Sequence, residues 1–291
     1  MHSYLRAIGF EKIRKESELE KILEDVYRNY EHRNTVKKED EGAFLEMSRS
    51  FGNDMGIRLC GIIDENGFHR QYYFPYYIGS GVTTTEEISI ETRTGGDSFA
   101  GICDDGRVGT SLIFYVQNPS AYHKEMELNV LKGRRVSTTF TGLSLGGTIL
   151  FPIRKDEIKE KVRQQGLVKR NHLLTAAKNG DQDAIENLTI EDMDLYSMIS
   201  RRIEKEDVLS IVDTSFMPYG MECDQYQIIG NINYYTKTAN RYTGEYVYQM
   251  NLECNDMNFD ICINAADLLG DPAEGRRFRG SIWLQGKINF E

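Results

Sequence analysis

From Gln225 onward the sequence alternates oily and polar residues with a period of two, in runs broken by turn residues. A period of two confines this region to β-strands with one face buried. In QYQIIGNINY the inward set is Tyr226, Ile228, Ile232 and Tyr234. A tight turn centred on Asp256-Met257 pairs EYVYQMNLEC with FDICIN, setting Met250 against Ile263 and Cys254 against Phe259. Tyr248, Met250, Leu252, Cys254, Phe259, Ile261 and Ile263 then share one face, and Gln249, Asn251, Glu253, Asp260 and Cys262 share the other. Three strands, a short helix at AADLLG and a long closing strand fit a small OB-like β-barrel over residues 217–291.

The closing strand carries the sharpest pattern. Phe278, Ile282, Leu284, Ile288 and Phe290 fall on one side, while Arg277, Arg279, Ser281, Trp283, Gln285 and Lys287 fall on the other. Trp283 is the one tryptophan in 291 residues. Two readings of the outward set stand. In the first, Trp283 covers the rest of the chain and the arginines pair with the acids concentrated between residues 251 and 274. In the second, Arg277, Arg279, Trp283, Gln285 and Lys287 form an exposed surface on which a ligand or protein partner stacks. A bulge at Gly280 or Gly286 would reverse the alternation.

The earlier chain reads differently. Ser17-Glu18-Leu19-Glu20 has the form of a capping box, and Leu19, Ile22, Leu23, Val26, Tyr27 and Tyr30 follow at helical spacing, which predicts a helix over 17–31. After a charged linker at 37–42, Asn66-Gly67 between two β-rich runs signals a hairpin. Strands are expected near 86–93 and 99–103, at 110–117, where TSLIFYVQ is apolar on both faces and therefore central, and as a pair across 136–151. From Asp156 the texture turns helical, with Asn179-Gly180 as a turn and Thr189 as a cap. The expectation is an α+β fold. Residues 1–153 form a mainly antiparallel sheet with an N-terminal helix, 154–216 a helical connector, and 217–291 the OB-like barrel.

Charge and motifs narrow the function. A net charge of −10 argues against non-specific nucleic-acid binding, which needs a basic face. No apolar run is long enough to span a bilayer, and MHSYLRAIGFEKIRKE lacks the basic-then-apolar order of a signal peptide, so a cytoplasmic protein is expected. The cysteines Cys60, Cys103, Cys223, Cys254 and Cys262 are odd in number and never spaced as CxxC, and read as reduced packing residues. The histidines His2, His32, His69, His123 and His172 form no i, i+4 pair. Neither set calls for a metal, and no cofactor is expected. Gly142-Leu143-Ser144-Leu145-Gly146 matches the G-x-S-x-G elbow of hydrolases, but a strand-like GTILFPI follows where a helix is needed. Gly79-Ser80-Gly81 could form an anion nest or an ordinary turn. Tyr72, Tyr73, Phe74, Tyr76 and Tyr77 fit half-buried sheet or a stacking site, with Pro75 marking an edge or bend. Asp104-Asp105-Gly106 is first a turn signal.

YLRAIGF, YYFPYYIGSGVTT, CDDGRVGTSLIFYVQN, EDMDLYSMISRRIEKEDVLSIVDTSFMPYGMECDQY and GRRFRGSIWLQG resemble an uncharacterised family of clostridial-type Gram-positive bacteria, domain of unknown function 3881. The resemblance implies an intracellular protein without an assigned activity, and transfers no catalytic or binding residue. The reading favoured is a non-enzymatic binding or regulatory protein that uses the outer face of the barrel. An enzyme with a pocket between the first sheet and the connector, built from Ser144, His172 or Asp104-Asp105, and a structural or oligomeric role are the alternatives.

Overall fold

The computed structural model describes residues 1–37, 42–92, 98–127, 136–153, 173, 175–177, 180–203 and 207–290. The predicted connector helix from Asp156, His172, Asn179 and most of the charged linker lie outside the described residues. A 3-10 turn, Ser3–Ile8, precedes helix α1 (Glu16–Arg28), whose Leu19, Ile22, Leu23 and Val26 are buried at helical spacing. The helix starts one residue before Ser17. Glu18 closes its N-terminus by accepting the N–H groups of Arg14 and Lys15, both at 3.2 Å, so Ser17 lies in the first turn and is not the cap.

Strands β1 (His32–Lys37), β2 (Ala43–Ser50), β3 (Met55–Asp64) and β4 (Gly67–Tyr77) form an antiparallel meander in that spatial order. The expected hairpin is β3–β4. Its turn is Glu65-Asn66, one residue earlier than expected, because Gly67 pairs with Asp64 and takes a φ of 118° that glycine tolerates. Pro75 sits on β4, an edge of this sheet.

The second sheet gathers β5 (Ile88–Thr92), β6 (Phe99–Asp105), β7 (Thr110–Val116), β8 (Val136–Leu150), β9 (Ser215–Pro218), β10 (Gln225–Ala239), β11 (Tyr246–Cys254), β12 (Met257–Asn264), β13 (Leu268–Leu269) and β14 (Arg277–Phe290). Helix α2 (Pro119–Glu127) joins β7 to β8, and α3 (Gln182–Ile203) and α4 (Val208–Ile211) lie between β8 and β9. β7 is central, between β6 and β14, as its two apolar faces require. The pairings β8–β12, β12–β11, β11–β10, β10–β14 and β14–β8 return to the strand they start from. The result is a mixed sheet in which β12 and β8 run parallel and the other four ring pairs antiparallel.

Five expectations change here. Residues 136–150 are one continuous strand and not a strand pair, and the G-x-S-x-G run lies inside it. This strand crosses the boundary drawn between the first and last regions, because β12 and β14 both hydrogen-bond to it. A ring within 217–291 alone is not what forms: alternation tells which face a residue takes but not which strand lies beside it. The β11–β12 turn is Asn255-Asp256, both at positive φ, so Cys254 pairs with Met257 and Met250 with Ile261. The shift is two residues, which preserves parity, and the two faces are as expected. Tyr234 is turned outward and about half exposed, because Asn233 is an extra residue in β10 between the pairs Ile232–Leu252 and Tyr234–Asn251. Thr189 lies within α3 and donates to the carbonyl of Ile185 at 2.8 Å instead of capping it.

The ring interior is filled by the inward set, including Tyr226, Ile228, Leu252, Phe259, Phe278 and Ile282. Phe114 enters from β7 against two glycines, with Cβ positions at Gly101 and Gly286 falling 2.1 and 2.4 Å from its ring. Both walls are therefore closed to a methyl group. Gly286→Ala is expected to cost about 1–3 kcal/mol in urea unfolding, with much of the loss restored by Phe114→Leu in the same chain.

Candidate functional site

The four-stranded sheet lies across the outer face of the ring, and the seam between them changes character along its length. One part is aromatic. Trp283 stands 4.7 Å from the His2 ring, 5.2 Å from Tyr4 and 5.0 Å from Tyr115, and Phe74 of β4 meets Tyr115 edge-on at 4.8 Å. The indole N–H donates to Asp224 Oδ2 at 2.9 Å. Burial holds His2 down to about 4 from 6.5, helped by the positive amino terminus. Burial, then the charges of Asp224 and Glu222, raise Tyr4 to about 12.

Further along, the seam becomes polar without losing its pairing. Gln117, just after β7, donates to Tyr77 O at 2.8 Å, Thr141 Oγ1 at 3.0 Å and Gln285 Oε1 at 2.7 Å, and Gln285 donates to Pro75 O at 2.8 Å. Glu46 on β2 is 4% exposed and lies 2.9 Å from the Arg58 guanidinium, while its other oxygen accepts the Ser120 N–H at 3.1 Å. Arg58 also donates to the Gln117 carbonyl and lies over the Tyr76 and Phe74 rings at 5.0 and 5.8 Å. Asp260 accepts the Ser80 N–H at 2.6 Å, the Ser80 hydroxyl at 2.9 Å and the Asn251 amide at 2.7 Å.

Beside these groups the seam opens into a cleft of about 1230 Å³. The four-stranded sheet contributes Glu46, Ser48, Arg58 and Tyr76 to it, and the ring contributes Thr236, Gln249, Asp260 and Lys287. Arg33 of β1, Ala121 of α2 and Arg241 in the β10–β11 turn complete its margin. Gln249 bridges the two sides by donating to the Asn53 carbonyl.

The residues proposed from sequence divide among four places. Arg277, Arg279, Trp283, Gln285 and Lys287 do share the outward side of β14, but they do not make one exposed surface. Trp283 is 4% exposed and Gln285 is fully buried, because the four-stranded sheet and the N-terminal turn cover the middle of the strand. Arg277 is buried too. Its guanidinium donates to the carbonyls of Phe151 at 3.0 Å and of Val212 and Leu209 at 2.8 Å, pinning α4 to the sheet, and burial lowers its pKa. The expected pairing with the acids of 251–274 does not occur at Arg277; of those acids, Asp267 binds Arg6 through two 2.5 Å bonds, and Glu253 accepts from Asn231 at 2.9 Å. Arg279 is exposed, and Lys287 reaches the cleft.

The remaining motifs resolve as follows. Ser144 is buried and donates to the main-chain oxygens of Ser281 at 2.8 Å and Gly146 at 3.1 Å, so its hydroxyl is committed to the sheet. Asp105 is held by Arg107 at 2.5 and 2.8 Å, which makes Asp104-Asp105-Gly106 a braced turn. The Gly79-Ser80-Gly81 turn does hold an anion, and that anion is the protein's own Asp260. A Cβ at Gly79 would sit 2.6 Å from Thr141 and 3.2 Å from the Asp260 carboxylate, so only glycine allows this approach. Cys60, Cys103, Cys254 and Cys262 are buried, the last two on opposite sides of their hairpin, while Cys223 is exposed and so is no packing residue. Among the described residues no cluster of His, Cys, Asp and Glu could hold a metal, and no helix is long and apolar enough to cross a membrane. The cleft residues Glu46, Arg58, Gln117 and Arg241 carry no sequence motif, whereas Tyr76, Tyr77, Gly79, Ser80 and Lys287 lie in stretches that the sequence had marked.

A family model described as "Domain of unknown function, E. rectale Gene description (DUF3881)" matches residues 5–286. No curated protein and no solved structure matches the chain.

Two measurements check the seam. Arg58→Met strands the buried Glu46 charge and is expected to cost about 3–5 kcal/mol in chemical unfolding, whereas the pair Glu46→Leu with Arg58→Met costs much less. His2 titrates near 4 folded and 6.5 free, so the unfolded chain binds more protons between those values. Its contribution is complete above 6.5 and is lost as the pH falls toward 4. Trp283 emission should shift to the red as the pH falls through about 4 in the natural chain, where the folded imidazole gains its proton, and stay flat in His2→Phe.

Proposed function

Since the chain belongs to the DUF3881 family, which is defined without an activity, we propose from its geometry that it is a cytoplasmic, non-enzymatic binding or regulatory protein whose ligand occupies the intersheet cleft. The observation that carries this reading is the combination of room and order. The cleft is at least as large as typical small-molecule sites of roughly 300–1,000 Å³, and the buried polar groups at its wall, Glu46, Gln117 and Asp260, are already held in place by other protein groups. A site held in this way loses little freedom when a ligand enters, which favours affinity. Catalysis finds less support, because Ser144 donates to main-chain carbonyls and Glu46 and Asp260 have structural partners.

The strand ring supports the same location. We read it as an OB-like barrel with a rotated chain order. The meander β10–β11–β12, the 3-10 turn Ala265–Asp267 and β14 follow in sequence, while β8 enters from the N-terminal side, parallel to β12 and antiparallel to β14. Barrels of this kind bind ligands on the outer face of their second and third strands. In this order those are β11 and β12, whose Gln249 and Asp260 line the cleft. The analogy speaks for the place and says nothing of the ligand. The outer face of the ring thus remains the proposed binding surface, engaged through Gln249, Asp260 and Lys287 instead of Trp283.

Thermal-shift measurements on the full chain with sugars, nucleosides, amino acids, phosphorylated and polycarboxylated metabolites test this. A ligand present at about 100 times its Kd adds about 2.7 kcal/mol of native stability. At least one class should raise Tm, and Ala121→Trp, which fills the cleft from α2, should abolish the rise. A panel with no response, or a response unchanged in Ala121→Trp, would refute the assignment.

A further inference from the structure

We infer that the ligand of the cleft is an uncharged, polyhydroxylated compound of several linked rings, a neutral oligosaccharide. This rests on the cleft being the binding site, and it follows from how charge and hydrogen-bonding groups are distributed over the lining.

The lining is electrically balanced, and the balance is local. Its carboxylates are Glu31, Glu46, Asp54 and Asp260, and its cations are Arg33, Arg58, Arg241 and Lys287. Each carboxylate has a cation for a neighbour. Glu46 lies 2.9 Å from Arg58. Glu31 and Arg33 stand on either side of His32, where β1 begins. The Arg241 N–H donates to Phe51 O at 2.6 Å, which brings Arg241 to the β2–β3 turn that carries Asp54. Asp260 and Lys287 flank β8, opposite Thr141 and Thr139. No stretch of the wall is of one sign, so an anion or a cation meets like charge wherever it gains opposite charge, and a zwitterion finds no two separated poles to match its own.

The hydrogen-bonding groups favour hydroxyls. A carboxylate only accepts, and a guanidinium or ammonium only donates. A ligand lying across both must donate at one contact and accept at the next, and a sugar hydroxyl does both from a single atom. Asn34, Asn53, Ser80 and Thr236 add exposed amides and hydroxyls with the same double capacity. Among the described residues the aliphatic side chains of the lining are Ile78 and Ala121 alone, so the cleft offers no apolar pocket to a lipid or to the side chains of a bound peptide. Tyr76 and Tyr77 are buried, whereas Tyr234 presents a half-exposed ring on which the C–H face of a pyranose stacks. At about 1230 Å³ the cleft exceeds the roughly 300–1,000 Å³ of ordinary small-molecule pockets, which leaves room for more than one ring.

Calorimetric titration of the full chain tests the inference, with tetrasaccharides of α-linked glucose, β-linked glucose, xylose and N-acetylglucosamine, and with their monosaccharides. At least one tetrasaccharide should bind, about tenfold or more tighter than its own monosaccharide. Its affinity should stay within about twofold from about 0.1 to 1 M salt, as expected of an uncharged ligand. Tyr234→Ala on the ring side and Asn34→Ala on the sheet side should each weaken it about tenfold, with the unliganded Tm unchanged. Tyr246→Ala, which removes an exposed tyrosine of β11 outside the cleft, should have no effect. If no tetrasaccharide binds, or if none binds more tightly than its monosaccharide, the inference falls. If a charged metabolite, a nucleoside or tetraglycine binds tighter than every tetrasaccharide and Ala121→Trp abolishes that binding, the inference falls and the cleft assignment stands. If a tetrasaccharide binds and Ala121→Trp leaves its affinity intact, both fall.

Discussion

Everything distinctive in this structure depends on the pairing of β14 with β8. The two strands run antiparallel from Arg277 opposite Leu150 to Phe290 opposite Val136. The segments are far apart in sequence, so the contact closes a long loop and carries the corresponding entropic cost before its hydrogen bonds form. What it gains is closure. Because β12 also pairs with β8, and β10 with β14, the sheet returns on itself and its middle strands have no free edge. It also fixes the register of the outer face, setting Trp283 opposite Leu143 and Gln285 opposite Thr141, and so decides what the four-stranded sheet meets.

The seam between sheet and ring then follows from burial. Where side chains of both layers are large and aromatic, as at Trp283, Tyr115 and Phe74, they exclude water and the seam is closed. Where the same outer face carries Gln285, Gln249 and Asp260, closure would strand polar groups. The structure answers with partners for each: Gln117 and Pro75 O for Gln285, Asn53 O for Gln249, Ser80 for Asp260. Satisfied groups of this kind can border a cavity without drawing the walls together, and the cleft lies where they are found.

This division explains what was legible in the sequence. The inward faces of β10, β11, β12 and β14 follow the two-residue period almost without exception, because each face is uniformly apolar or uniformly polar. Tyr234 escaped because a bulge at Asn233 inserts one residue, and nothing in QYQIIGNINY distinguishes that residue from a paired one. The family resemblance was legible too, over nearly the whole chain. What alternation could not show was the neighbour. It placed Trp283 outside the ring, which is correct, but a face outside one sheet can be inside another, and β2, β3 and β4 supply the cover. The cleft was illegible for a related reason: Glu46, Arg58, Gln117 and Arg241 come from separate elements, and only the folded topology brings them to one seam.

A lone tryptophan among arginines invites a reading as a contact surface, and the physics of the two residue types separates them here. The indole has one donor and a large apolar body, so a single acceptor, Asp224, suffices to bury it. A guanidinium has five donors, and burying one requires a full set of acceptors; Arg277 finds three carbonyls at the α4 end. Acceptors of that kind are scarce within a sheet, whose carbonyls are spent on its own ladder. Lys287, Arg241 and Arg33 therefore keep their charges in solvent, at the margin of the cleft.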